Sequence, residues 1–197
     1  MSAIDFSSDI GLIAMVLLTI NILLGLLLSA RYNTVRSWPH RRLPVFDVHN
    51  WTAYIALGLV FLHPFLLLLS SSAGFRVMDV LWPLHSPKQT LYNCFGAVAF
   101  YCVIFVVVTS YFRSRLGSRL WKKLHYASYV AAAFVFVHGI LIDPELKNNP
   151  PDPFDGEKVL VEICALLIVI ATIWRIRYQP KKRALKASVQ KIDYEPV

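Results

Sequence analysis

Five apolar runs, each near the ~20 residues that cross a ~30 Å hydrocarbon core as a helix, leave this chain few choices. In hydrocarbon every backbone N–H and C=O must find its partner within the protein, so runs of this kind cross as α-helices. They extend from about Ile10 to Ala30, Phe46 to Ser71, Gln89 to Phe112, Leu116 to Ile142 and Val159 to Arg177. The expected fold class is all-α, an integral membrane bundle of five transmembrane helices. Only 16% of residues are charged and the mean hydropathy is +0.53, too apolar for a soluble domain of this size. The expected organisation is a transmembrane domain over 1–178 and a basic cytoplasmic tail over 179–197.

The net charge of +8 does not point to nucleic acid, because the basic residues follow the membrane topology. Sixteen of the 20 Lys and Arg fall on one side, in the connections after the first and third runs and in the tail. The other side holds Asp5, Asp9, Asp79, Asp143, Glu145, Asp152, Asp155 and Glu157. The positive-inside rule then places the N-terminus outside and the C-terminus in the cytoplasm. Met1 to Asp9 carries two acids and no base, so the first run is expected to be a retained helix and not a signal peptide. The tail, which begins at Pro180, is expected to lie against anionic membrane lipid. Cys94, Cys102 and Cys164 form no CxxC pair and read as small core residues.

Histidine carries the chemistry. Of six, His40 and His85 fall in connections; the other four fall in pairs, His49 with His63 on the second run and His125 with His138 on the fourth. Ionisable groups within a bilayer are costly and face a partner or a cavity. The intervals of 14 and 13 residues each correspond to roughly 20 Å of helical rise. Both helices start from the same side, so His49 matches His125 in depth and His63 matches His138. Each level offers one histidine from each helix, as the two axial positions of a haem iron require. A zinc site would need three or four ligands at one point, which two separate levels do not provide. On an ideal helix 14 residues return to within about 40° of the same face but 13 end about 140° away. The fourth run must therefore tilt, contain a local irregularity, or reach its two ligands from different sides.

The stretch Trp121-Lys-Lys-Leu-His125-Tyr-Ala-Ser-Tyr129, continuing to His138-Gly139, resembles the second haem-binding helix of the ferric reductase-like transmembrane family. His49 through His63-Pro64, with Gly58 between, resembles its first. The resemblance covers about Val45 to Ile142 and includes the 14 and 13 spacings of the NADPH oxidases and ferric reductases. It implies two b-type haems, the inner held by His49 and His125 and the outer by His63 and His138. Two departures stand out. Members commonly have six spans against five here, and the oxidases carry a flavin and NADPH domain. Only 20 residues follow Arg177, without GxGxxG, so the expected donor is a separate flavoprotein or a quinol. In this the chain is more similar to the stand-alone haem subunit of bacterial methionine sulfoxide reductase systems. That implies the bacterial inner (cytoplasmic) membrane and an outer-side electron acceptor or protein partner.

Arg31, Arg36, Arg41, Arg42 and Arg115 sit near the inner level, and Arg41 and Arg115 are the candidates for haem propionates. His40 reads as interfacial and His85 as a loop residue near any outer acceptor. Phe134 and Phe136 lie between the levels. Glu162 reads as snorkelling to the outer surface. The expected function is a dihaem b-type cytochrome, the electron-transfer component of an oxidoreductase, with no catalytic acid or base of its own. The alternatives are a dihaem cytochrome b subunit of a quinone-linked complex, or a structural subunit that has kept the fold.

Overall fold

The computed structural model describes residues 2–30, 44–147, 149–150 and 152–192, with side chains described as far as Tyr178. The described residues are helical, without strands: α1 (Ala3–Ala30), α2 (Val45–Leu68), α3 (Val77–Leu81), a 3-10 turn (Pro83–His85), α4 (Thr90–Tyr111), α5 (Arg113–His125), α6 (Ala127–Leu141) and α7 (Gly156–Ile192). Five of the resulting segments are long and apolar enough to cross a membrane, with α5 and α6 together forming the fourth. Large apolar side chains such as Phe65, Phe105, Leu166 and Ile170 point out of the bundle, whereas Ala14, Ala56, Ala99 and Ala131 are buried between helices. Small residues at the contacts are what close helix packing in lipid requires.

Local chemistry sets the helix limits. α1 begins well before its apolar run because Ser2 and Asp5 form a capping box, Ser2 N–H to Asp5 Oδ2 at 2.7 Å and Asp5 N–H to Ser2 Oγ at 3.1 Å. The fourth span, expected as one helix, is broken at Tyr126. There Tyr126 N–H donates to Lys123 O at 3.3 Å and Tyr129 N–H to Tyr126 O at 3.0 Å. These three-residue closures wind at about 120° per residue instead of about 100°. A local irregularity therefore lies between the two histidines, adding about 20° for each residue so wound, a part of the ~140° that the 13-residue interval leaves. A second break at Gly117, with φ 72°, precedes both. α7 continues as helix through Pro180 to Ile192.

α1 packs on α2, α4 on α6, and α7 on α1 and α6. At the acidic end, Gln89 and Asp143 exchange two bonds: Asp143 N–H donates to Gln89 Oε1 at 2.8 Å and Gln89 Nε2 to Asp143 O at 3.1 Å. They fix the start of α4 against the end of α6. Lys158, 5% exposed, caps α6 from α7, its Nζ donating to Gly139 O and Ile142 O. In the same loop an ion pair of 2.7 Å with Glu145 raises the pKa of the Lys147 ammonium, chiefly through the hydrogen bond.

Candidate functional site

The four histidines meet in two pairs. His49 of α2 and His125 of α5 have ring centroids 6.4 Å apart with planes at 67°, and His63 of α2 and His138 of α6 are also 6.4 Å apart, at 75°. Other ring pairs of the described residues range from 4.9 Å for Phe61–Phe100 to 6.4 Å for Trp51–Tyr54, a T-shaped contact between rings larger than an imidazole. The smaller imidazoles thus stand apart with a gap between them. Two imidazole–metal bonds of about 2.0–2.1 Å, with about 1.1 Å from nitrogen to ring centre at each end, add up to about 6.3 Å. The gap fits one metal ion held between each pair. Among the described residues no three His, Cys, Asp or Glu side chains converge.

Each ring is anchored through Nδ1. His63 Nδ1–H donates to Ser7 O at 2.7 Å, His49 to Asn21 O at 3.0 Å, and His138 to Tyr92 O at 2.8 Å. A carbonyl can only accept, so these three rings carry their proton on Nδ1 and keep the Nε2 lone pair for a metal. The fourth, His125, places Nδ1 3.1 Å from Ser110 Oγ. An imidazole whose second nitrogen is tied to a carbonyl or hydroxyl is the usual outer shell of a metal-binding histidine.

The anchors lie on α1 and α4, which carry no histidine. Ser7 and Asn21 act in both directions, since Ser7 Oγ–H donates to His63 O at 2.8 Å and Asn21 Nδ2 to His49 O at 2.5 Å. One turn beyond each accepting carbonyl comes a glycine. A Cβ on Gly11 would stand 2.9 Å from His63 Nδ1, on Gly96 2.9 Å from His138 Cε1, and on Gly25 3.3 Å from His49 Cε1. A helical side chain covers the turn N-terminal to its own Cα. Only glycine leaves the carbonyl four residues earlier open to an imidazole. None of these anchors was singled out from the sequence, although a signal exists: Ser7 to Asn21 and Gly11 to Gly25 repeat the 14-residue interval of His49 to His63.

Two cavities hold the pairs. One of about 1050 Å³ contains His49 and His125 and reaches the basic end, where Arg113, Lys122 and Arg175 line it. The other, about 180 Å³, contains His63 and His138 together with Lys158 and Glu157. Met15, Leu18, Val103 and Val135 line both and separate the levels. Equal ring separations with unequal volumes look discordant. The separation is set by rings tied to helix backbones, whereas the free volume is set by the rotamers of the side chains that line each cavity.

The remaining sequence candidates fall as follows. Arg115 is exposed, does not line the cavity and holds its guanidinium 5.6 Å from the Phe112 ring centre. Arg41, with Arg31, Arg36, His40 and Arg42, lies outside the described residues. Arg175 was not foreseen as a site residue; its Nε is buried without a hydrogen-bond partner among the described residues while Nη1 donates to Tyr129 Oη at 3.4 Å. Phe136 lines the larger cavity, but Phe134 packs on Phe95 at 5.9 Å. His85 and Glu162 are exposed, and Cys164 is buried with Met15 and Val161.

A family model described as ferric reductase like transmembrane component matches residues 10–137, well over half of the chain. None of the curated proteins and none of the solved structures compared with the chain matches it.

Proposed function

Because the chain belongs to the ferric reductase like transmembrane component family, we propose that it is a dihaem b-type cytochrome carrying electrons through the bilayer. The family makes it an integral membrane component of electron transfer, of a kind that generally binds haem. The observation that supports two haems is the repeated pair: rings 6.4 Å apart at each level, every Nδ1 tied to an acceptor on α1 or α4. His49 and His125 are the proposed ligands at the basic, cytoplasmic end, and His63 and His138 those at the outer end. Haem, when bound, supplies the one-electron ferric–ferrous couple.

The chain's own residues do the rest. Ser7, Asn21, Tyr92 and Ser110 orient the ligand rings, and the carbonyls of the first three fix the tautomers of His63, His49 and His138. Arg113, Lys122 and Arg175 are suited to carboxylates at the basic mouth of the larger cavity, with the buried Arg175 Nε a donor that has no acceptor among the described residues. Arg115, over Phe112, is given an interfacial role. Met15, Leu18, Val103 and Val135 keep water from the space between the levels. The donor is a flavoprotein or a quinol at the cytoplasmic face of the bacterial inner membrane, and the acceptor lies on the outer side.

A redox-difference absorption spectrum of the purified protein, with haem quantitation, tests the reading. Two b-type haems per chain are expected; none would sink the proposal, and one would sink the paired arrangement. Reduction in membranes by NADPH with a flavin reductase, set against reduction by a quinol, then separates a ferric reductase-like component from a subunit of a quinone-linked complex.

A further inference from the structure

The anchoring pattern is a repeat with one exception. Ser7 with Gly11, Asn21 with Gly25, and Tyr92 with Gly96 each pair an accepting carbonyl with a glycine four residues on. The fourth member of the series, 14 residues beyond Tyr92 and Gly96, is Val106 with Ser110. The serine side chain stands where glycine would open the carbonyl, and His125 Nδ1 meets the hydroxyl itself at 3.1 Å. That hydroxyl accepts from Trp121 Nε1 at 3.3 Å, and the Trp121 ring lies 5.1 Å from the His125 ring.

We infer that Ser110 is a positioning residue that sets the reduction potential of the inner haem apart from that of the outer one. The inference rests on the dihaem reading above. An acceptor at Nδ1–H raises the basicity of the coordinating nitrogen, and hydrogen bonding around the ligands is one of the protein's levers on potential. A helix carbonyl is a strong acceptor. A hydroxyl already taking an N–H from Trp121 is a weaker one. His63 and His138 both rest on carbonyls, with the Ser7 hydroxyl a further 3.2 Å contact of His63 Nδ1, whereas in the inner pair His49 rests on a carbonyl and His125 meets this hydroxyl in place of one. The inner iron therefore receives less electron density from its ligands, and its ferrous state is favoured by comparison. Ser110 acts on His125 alone, without touching the outer level.

The test is a spectroelectrochemical titration of purified protein carrying His63→Ala, in which the inner haem is read alone, combined in turn with three substitutions at Ser110. Ser110→Gly reopens the Val106 carbonyl and is expected to lower the potential. A change on the order of tenfold in the ferric–ferrous equilibrium is about 59 mV for a one-electron couple. Ser110→Ala removes the acceptor and is expected to raise the potential, and Ser110→Thr keeps the hydroxyl and is expected to leave it in place. Equal potentials across the series, or a rise on Ser110→Gly, would overturn the inference while leaving the dihaem reading intact. Loss of haem from all three, Thr included, would also overturn it and leave Ser110 a purely structural residue. A wild-type protein without haem would remove the dihaem reading and this inference together.

Discussion

Gly96→Ala is the smallest change that should empty a haem site. A Cβ at this position would lie 2.9 Å from His138 Cε1, 3.0 Å from Nδ1 and 3.2 Å from Nε2, three atoms of one rigid ring. To regain carbon contact at about 3.5–4.0 Å the ring must retreat from α4 by roughly 0.6–1 Å. The bond from Nδ1 to Tyr92 O, now 2.8 Å, would then exceed the usual limit of about 3.2 Å. Losing that bond costs about 1 kcal/mol and overpacking a fixed contact about 1–3 kcal/mol. Together they predict on the order of 10²-fold weaker haem binding at the outer level, in the range seen when outer-shell partners of a metal ligand are removed. The inner level should be spared. Two companions calibrate the effect. Gly25→Ala meets His49 Cε1 at 3.3 Å and Nδ1 at 3.8 Å and should be milder, whereas Gly58→Ala meets nothing within 4 Å and should keep both haems. Haem content per chain and the redox-difference spectrum measure the outcome. Two haems with an unchanged spectrum in Gly96→Ala, or equal losses in Gly96→Ala and Gly58→Ala, would refute the reasoning.

Other outcomes follow from the same geometry. His138→Ala should remove the outer haem and leave the inner, and His49→Ala the reverse; loss of both from either variant in haem quantitation would argue against independent levels. Lys158→Met leaves the Gly139 and Ile142 carbonyls without their donor and should destabilise the protein by about 1–3 kcal/mol. Thermal unfolding in detergent, followed by haem absorbance, reads this, and an unchanged melt would count against the cap. With ligand planes crossed at 67° and 75°, the ferric protein should show low-spin electron paramagnetic resonance signals of the highly anisotropic kind. A rhombic signal typical of parallel imidazoles would contradict the ring orientations.

What was legible in the sequence is what hydropathy and depth encode along one dimension. The five spans and the matching of His49 with His125 and His63 with His138 needed only run length and rise per residue. The start of α1 was readable too, since Ser2 and Asp5 are a capping pair, but the apolar run alone suggested a later beginning. Nothing in Leu124-His125-Tyr126-Ala127 marks the helix break at Tyr126. Lys158 looked like an ordinary outer cation because a long side chain can turn to solvent or inward, and only the position of α6 decides. Ser7, Asn21, the three glycines and Ser110 act across helix interfaces whose rotation one helix's sequence does not disclose. Their recurrence at 14 residues was the available clue.

The anchors also explain why two helices without histidine belong to the site. In hydrocarbon, an imidazole N–H has no water to bond, and each helix carbonyl is already engaged by the N–H four residues on. A carbonyl has a second lone pair, but the side chain one turn later normally covers it. Glycine at that place is the least change that turns an ordinary helix into an acceptor for a neighbouring ring. α1 does this twice, at Gly11 and Gly25, so both α2 ligands depend on it. α4 does it once and substitutes the Ser110 hydroxyl the second time. α7 supplies no ring acceptor; it contributes the Lys158 cap and Arg175. The unit that organises the four ligands is therefore α1 with α2 and α4 with α5 and α6, while α7 acts on the ends of the site. Displacing α1 would strip two ligand rings of their partners at once, whereas displacing α7 would leave all four Nδ1 bonds standing.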